Sequence, residues 1–292
     1  MAARPTVFGN HKGGVGKTQL LTLMATELAK RPRNSSGEPR RVLAIDMDPQ
    51  GNLTRRMGYR EEEIEQRPSM AEVIQTAAPD VLQSCLLPCQ WEGDWADNIT
   101  LAPSRIELEN RVPEAGIPGS HLRLRQALTP LLDDFDDILI DSAPTLGHLL
   151  HLGLASVEPG PGDAGVNVIA VMTPTYDGLR GARRLDAMIN NPHYQLSLNM
   201  RATLIGVTVN AVRSGVLTHE QRTKEAVETW GGTVWSPHLH LAASAERAVE
   251  FSEPPQAADD AKTRTAMQVA ATTYVDRYLA ALGEPQLEKV TN

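Results

Sequence analysis

Short runs of β-branched and leucine residues alternate along the chain with stretches whose apolar positions recur every three to four residues, the pattern of strands separated by helices. Six runs read as strands: residues 6–9, 42–46, 138–141, 166–172, 203–210 and 233–235. Between the first two, Leu20, Leu21, Met24, Ala25 and Leu28 form one apolar face of a helix that begins at a glycine-rich loop and should stop near Pro32. Late in the chain, Met267, Ala271, Tyr274, Tyr278 and Leu282 keep helical spacing, with Gly283 and Pro285 as a stop. This predicts a terminal helix covering a sheet.

Strand, glycine loop, helix and strand make a βαβ unit, whose crossover should be right-handed and whose ligand should lie at the carboxyl ends of the strands. The expected fold is α/β, a single doubly wound, mostly parallel sheet flanked by helices, with residues 1–292 as one domain. No internal repeat or low-complexity linker interrupts it, although Asn34-Ser35-Ser36-Gly37 and residues 158–165 read as exposed loops. Residues 59–118 are the least regular part, a stretch where Trp91, Gly93, Asp94 and Trp95 break a weak periodicity.

Composition narrows the setting. Acidic residues outnumber basic ones by 36 to 28, a formal charge of −8, so binding to nucleic acid or anionic lipid would have to come from a local patch. The two cysteines, Cys85 and Cys89, are too few for a disulfide scaffold and fit a reducing, cytoplasmic setting. As a lone C-x-x-x-C they read as ordinary thiols and not as a metal site. The amino terminus lacks the apolar core of a signal peptide, and no segment approaches the roughly 20 apolar residues that span a bilayer. Sparse aromatics offer no platform for stacking bases.

The glycine-rich loop is Lys12-Gly13-Gly14-Val15-Gly16-Lys17-Thr18. Glycines let backbone N–H groups turn inward around an anion, and the helix that follows adds its positive end. Lys17 would neutralise β and γ phosphates, and the Thr18 hydroxyl would complete a Mg²⁺ shell. A strand-to-helix turn that binds nothing is the bland alternative. Three glycines, two lysines and a threonine between the right flanks outweigh it.

His11 occupies the first glycine position of the general phosphate-loop pattern. With Lys12, this departure resembles the deviant Walker loop of the ParA/MinD family of P-loop ATPases. The resemblance implies that Lys12 reaches across a dimer interface to phosphates held by the partner subunit. Gln19 stands where the family usually has a second threonine or serine, and its amide could meet the α phosphate.

A second segment, Ile45-Asp46-Met47-Asp48-Pro49-Gln50-Gly51-Asn52, follows the next strand and is similar to the same family. The resemblance implies that Asp48 positions or activates the attacking water and that Asp46 helps to order the Mg²⁺ shell and the loop. Taken alone, the segment would read as an Asp-Pro turn capping a strand. A third, Ile138 through Pro144, sets Asp141 after an apolar strand as a Walker B motif does, where it would hold Mg²⁺ through water. Lys12, Lys17 and Asp48 are thus the candidate catalytic residues, and Thr18, Asp46 and Asp141 the candidate metal residues. The loop residues 12–18 with Gln19, Asn210 and Pro237 are the candidate nucleotide contacts. Asn210 is balanced between reading adenine with its carboxamide and forming a turn.

The resemblance spans about residues 5–250 and implies an ATP- and Mg²⁺-dependent homodimer. That dimer would bind DNA without sequence preference, associate with the nucleoid and hydrolyse ATP when stimulated by a ParB-like centromere-binding partner. The candidate DNA contacts are Arg180, Arg183, Arg184 and Arg213, with Arg222 and Lys224 nearby, although any one of them reads as well as a solvated surface residue. The basic cluster Lys30, Arg31, Arg33, Arg40 and Arg41 sits in an expected loop and is not assigned to DNA.

A MinD-like membrane cycle is the nearest rival, but the tail from Glu284 to Asn292 is no basic amphipathic helix, so no membrane partner is expected. An iron protein of the nitrogenase type would need a cysteine after Asp141, and there is none. A metabolic ATP-dependent synthetase of the same superfamily is the remaining alternative. The pairs His148/His151 and His238/His240 use metal-like spacings without a third ligand and read as packing or surface residues.

Overall fold

The computed structural model describes residues 3–33, 37–160, 165–242, 247–248 and 250–284. The expected loops at 34–36 and 161–164, and the tail from Pro285 onward, lie outside the described residues. Eight strands form one sheet: β1 (Pro5–Gly9), β2 (Val42–Met47), β3 (Leu87–Pro88), β4 (Ile99–Ala102), β5 (Asp137–Ser142), β6 (Val166–Met172), β7 (Ala202–Val209) and β8 (Val234–Trp235). Their order is β3-β4-β2-β5-β1-β6-β7-β8, and every pairing is parallel except β3 with β4. The doubly wound, mostly parallel α/β architecture is therefore the one the strand and helix patterning predicts.

Strands β1, β2, β5 and β6 are buried along their whole length, which is why they read as unbroken apolar runs. Alternate residues feed two cores. Val7, Leu43, Ile45, Ile138 and Ile140 face one side, and Phe8, Val42, Ala44 and Leu139 the other.

Helices cover both faces. They are α1 (Lys17–Ala29), α2 (Asn52–Arg56), α3 (Glu61–Ile64), α4 (Met70–Thr76), α5 (Pro79–Cys85), α6 (Arg123–Leu128), α7 (His148–Leu154), α8 (Tyr176–Ile189), α9 (Pro192–Ser197), α10 (Leu217–Trp230) and α11 (Ala261–Ala281). Helix α1 does not present the single apolar face that its spacing predicts. From Leu20 to Ala29 the helix is buried all round, because α11 and the turn at Asp94–Asn98 cover what the sheet does not. Its one buried acid, Glu27, accepts hydrogen bonds from Arg31, Gln268 and Thr272. On α11, Met267, Ala271, Tyr274 and Tyr278 are buried as the spacing predicts, and Leu282 falls just past its end.

Residues 59–118 contribute more order than their periodicity predicts. They supply α3, α4 and α5 and two strands at one edge of the sheet, β3 and β4, which were not among the six expected. Both are too short, two and four residues, to show alternation. Cys85 and Cys89 are buried free thiols, and burial pushes both well up, to about 12. Among the described residues, no helix is long and apolar enough to cross a membrane.

Candidate functional site

The parallel register sets the geometry. Asp46 on β2 lies directly beside Asp141 on β5, and Asp141 beside Phe8 on β1, so the two carboxylates and the root of the glycine loop share the carboxyl edge of the sheet. The loop then turns back into α1. Gly14 and Gly16 both take positive φ, 70° and 94°. A side chain at Gly16 would also place its Cβ 1.7 Å from the carboxamide nitrogen of Asn210, so only glycine fits.

Asn210 holds this loop from the end of β7, two strands away from β1. Its Nδ2 donates to the carbonyl of Val15 at 3.0 Å and approaches Oε1 of Gln19 at 3.4 Å, while its Oδ1 accepts from the N–H of Ala211. Bracing the phosphate loop is a role that neither sequence reading of Asn210 contains. Asn10, just before the loop, was also missed. Its Nδ2 donates to the carbonyls of Val171 on β6 and Gly178 on α8, at 2.7 and 3.2 Å. An asparagine ending a strand gives no signal until its neighbours are known.

Thr18 donates to Oδ2 of Asp141 at 2.6 Å. Asp141 is 1% exposed, and its Oδ1 is buried with no partner among the described residues. Asp46 is better satisfied. Its Oδ1 accepts from the N–H of Asp48 at 3.1 Å, and its Oδ2 from the N–H and hydroxyl of Thr54 at 2.9 and 2.8 Å. Thr54 in turn accepts from the N–H of Ser104. Burial raises both acids above the ordinary carboxylate range, and for Asp46 the neighbouring Asp141 adds to it.

Lys17 is buried, which lowers its ammonium, against the opposing pull of Asp141 and Asp48. Asp48 is raised by burial, with the N–H of Gln50 and the charge of Lys17 working the other way. Gln50 donates that hydrogen bond at 3.1 Å. Arg56 of α2 adds an unforeseen cation. Its Nε and Nη1 are buried without partners, and burial lowers it while Asp141 opposes the shift.

The unpartnered oxygen of Asp141 makes a stability prediction. A carboxyl raised in the folded state binds more protons folded than unfolded, so its contribution to stability falls as pH rises from the ordinary range of about 4 through the raised value. Asn cannot ionise. The melting midpoint of Asp141→Asn minus that of the wild type should therefore grow between pH 5 and pH 8 in nucleotide-free protein. A difference that shrinks with pH would contradict the geometry.

Some candidates lie apart. Lys12 turns away from the loop to pair with Asp177 of α8, Nζ to Oδ2 at 3.1 Å. Pro237 accepts a hydrogen bond from Tyr274 and lines a cavity of about 1140 Å³ shared with Arg213, His238 and Met267. Arg180, Arg183 and Arg184 line another cleft, of about 390 Å³, with Tyr176 and Arg222. His148 and His151 are both lowered by burial, and among the described residues no three His, Cys, Asp or Glu side chains are placed to hold a metal ion.

Comparison with known proteins agrees with this geometry. A family model described as an AAA domain (AAA_31) matches residues 3–201. The chromosome-partitioning ATPase Soj of Thermus thermophilus is 28% identical over 218 residues, covering 75% of this chain and 73% of Soj. Among solved structures, an ATP complex of McdA from Cyanothece superposes with a TM-score of 0.76 at 18% identity, covering 99% of each chain. Cobyrinic acid a,c-diamide synthase from Mycobacterium smegmatis, with bound ADP and magnesium, gives 0.71 at 22% identity, covering 98% of this chain and 99% of the synthase. With the matched family model spanning most of the described sheet, the chain belongs to this AAA-domain family, the ParA/MinD family of P-loop ATPases.

Proposed function

We propose that the chain is a ParA-type partition ATPase that binds ATP with Mg²⁺, closes into a homodimer, binds DNA without sequence preference and hydrolyses ATP under stimulation by a ParB-like partner. The observation that carries the ATP site is the Thr18–Asp141 pair beside a buried, unpartnered carboxylate oxygen at the mouth of a glycine loop. Oxygen donors of this kind suit Mg²⁺, which takes few protein ligands and completes its shell with phosphate and water. Thr18 and Asp141, with Asp46 behind them, would hold the ion, and when bound it would neutralise charge on the β and γ phosphates.

The protein's own residues do the rest. Gly13, Gly14, Val15 and Gly16 offer backbone N–H groups to the phosphates, and Lys17, already drawn toward Asp141 and Asp48, adds the positive charge. Gln19 stands one residue beyond Thr18 for the α phosphate. Asp48 takes a proton from the attacking water, a task its raised pKa suits. Asn210, braced against the loop at Val15, and Pro237 would be the contacts for the base. Arg180, Arg183 and Arg184 would give the closed dimer its phosphate-backbone contacts. The protein would be cytoplasmic and nucleoid-associated when ATP-bound.

An amide-forming synthetase is the second reading, favoured by the likeness in fold to the diamide synthase. Titrating DNA with protein in ADP, ATP and a slowly hydrolysed analogue separates the two. Binding should appear with ATP and the analogue, be absent with ADP and in Lys17→Ala, and weaken steeply with salt. ATP-bound dimers that ignore DNA at every salt concentration would end the partition reading and leave the ATPase.

A further inference from the structure

Three consecutive residues at the root of the phosphate loop are tied to one helix. Asn10 donates to the carbonyl of Gly178, His11 Nδ1 lies 3.1 Å from Nη1 of Arg184, and Lys12 pairs with Asp177, all on α8. The helix sits so close that a Cβ on Gly181 would meet Oδ1 of Asn10 at 2.0 Å. Its first turn is thereby braced against the loop, and Asp177 is held beside Lys12 by packing that does not depend on their charges. The Thr175 hydroxyl caps this turn by accepting from the N–H of Gly178 at 3.1 Å, and the helix end favours an anion at Asp177.

Lys12 cannot serve Asp177 and a second subunit's phosphates at once. We propose that Asp177 is a positioning residue for Lys12: it holds the lysine against α8 in the resting monomer and must release it before the ATP dimer closes. This rests on the dimer reading above. The two side chains are 40% and 62% exposed, so the pair is solvent-screened and contributes a bias and not a lock. Exposed pairs of this kind are worth about 0.2–1 kcal/mol, roughly a 1.4- to 5-fold change in an equilibrium. A bias of that size tunes the nucleotide level at which dimers form without preventing them.

The test uses the full chain, with Asp177→Asn to remove the charge and Asp177→Glu to restore it. In nucleotide-free protein, acylation of Lys12 followed by peptide mass spectrometry should be faster in Asp177→Asn than in wild type, and near wild type in Asp177→Glu. The ATP concentration giving half-maximal dimer, read by sedimentation, should fall about 1.4- to 5-fold in Asp177→Asn. It should return in Asp177→Glu, with ADP affinity unchanged in both and the melting midpoint of Asp177→Asn lowered by no more than a few degrees, the share of a helix-end charge and an exposed pair. A merely structural aspartate would move the melting midpoint without moving Lys12 acylation or the ATP dependence of the dimer, and that result overturns the proposal. Equal acylation of Lys12 in wild type and Asp177→Asn also overturns it, by showing that no latch exists. If acylation differs but neither protein dimerises with a bound ATP analogue, the dimer reading itself has failed, and the proposal with it.

Discussion

Replacing Asp48 with alanine should reduce ATP turnover by about two to four orders of magnitude, the usual contribution of a positioned proton acceptor, while nucleotide affinity changes little. Asp48 is 9% exposed and sits on a loop whose shape is set elsewhere: its own N–H is held by Asp46, and Asp46 by Thr54. Removing its carboxylate forfeits the hydrogen bond from the N–H of Gln50 but leaves those other restraints in place. Burial raises Asp48, which makes its carboxylate a stronger proton acceptor, and the N–H of Gln50 and the charge of Lys17 limit the rise. Phosphate release and nucleotide binding measured on the same preparation separate the two effects. Wild-type turnover in Asp48→Ala would show that the water is activated by another group. A parallel loss of binding would show that Asp48 shapes the loop.

The parts of this site visible in the sequence are those where one residue type is nearly compulsory. Gly16 must be glycine because its φ is positive and Asn210 fills the space where a Cβ would go. Thr18 opens the helix after the loop and Asp141 stands at a strand end, and they meet at 2.6 Å because β5 pairs beside β1. What was not legible is lateral. Asn10, Arg56 and Asp177 owe their roles to whichever chain segment lies beside them, and nothing local in their neighbourhoods distinguishes them from an ordinary strand-end amide, a helix arginine and a first-turn acid. The base-reading and DNA candidates show the same limit from the other side. Helical spacing put Arg180, Arg183 and Arg184 in one cleft, but it could not foresee that Arg213 would line a separate cavity with Pro237.

The fold divides along similar lines. The long buried strands were readable because unbroken apolar runs have few other uses, whereas β3 and β4 were hidden by their brevity. The extent of burial around α1 was hidden for another reason. Leu23 is fully buried but lies off the face that the other leucines define, because α11 arrives from more than 200 positions downstream to cover it. Basic residues before β2 lie in the connection the sequence predicts, but nothing local shows that one of them, Arg40, anchors a buried ion network.

Arg40→Ala should destabilise the fold by roughly 3–5 kcal/mol, the cost of leaving a buried charge without its partner. Arg40 is 2% exposed and grips Asp137 at both oxygens, Nε to Oδ2 at 2.7 Å and Nη2 to Oδ1 at 3.1 Å. Two more of its N–H groups donate to Glu284, at 2.6 and 2.9 Å, just past the end of α11. Asp137 opens β5 and is fully buried, and burial already raises it against the opposing effect of Arg40. Without the guanidinium it would be driven to its neutral form, so the loss should be smaller at pH 5 than at pH 8. For a chain of this length the shift in melting midpoint would be on the order of 10 °C. Arg40→Met combined with Asp137→Leu removes both charges and should recover most of that loss, because hydrophobic replacement spares the desolvation of two ions. If the single variant loses less than about 1 kcal/mol, Glu284 and Arg40 are not clamping the end of α11 to the sheet, and the terminal helix must be held by its apolar face alone.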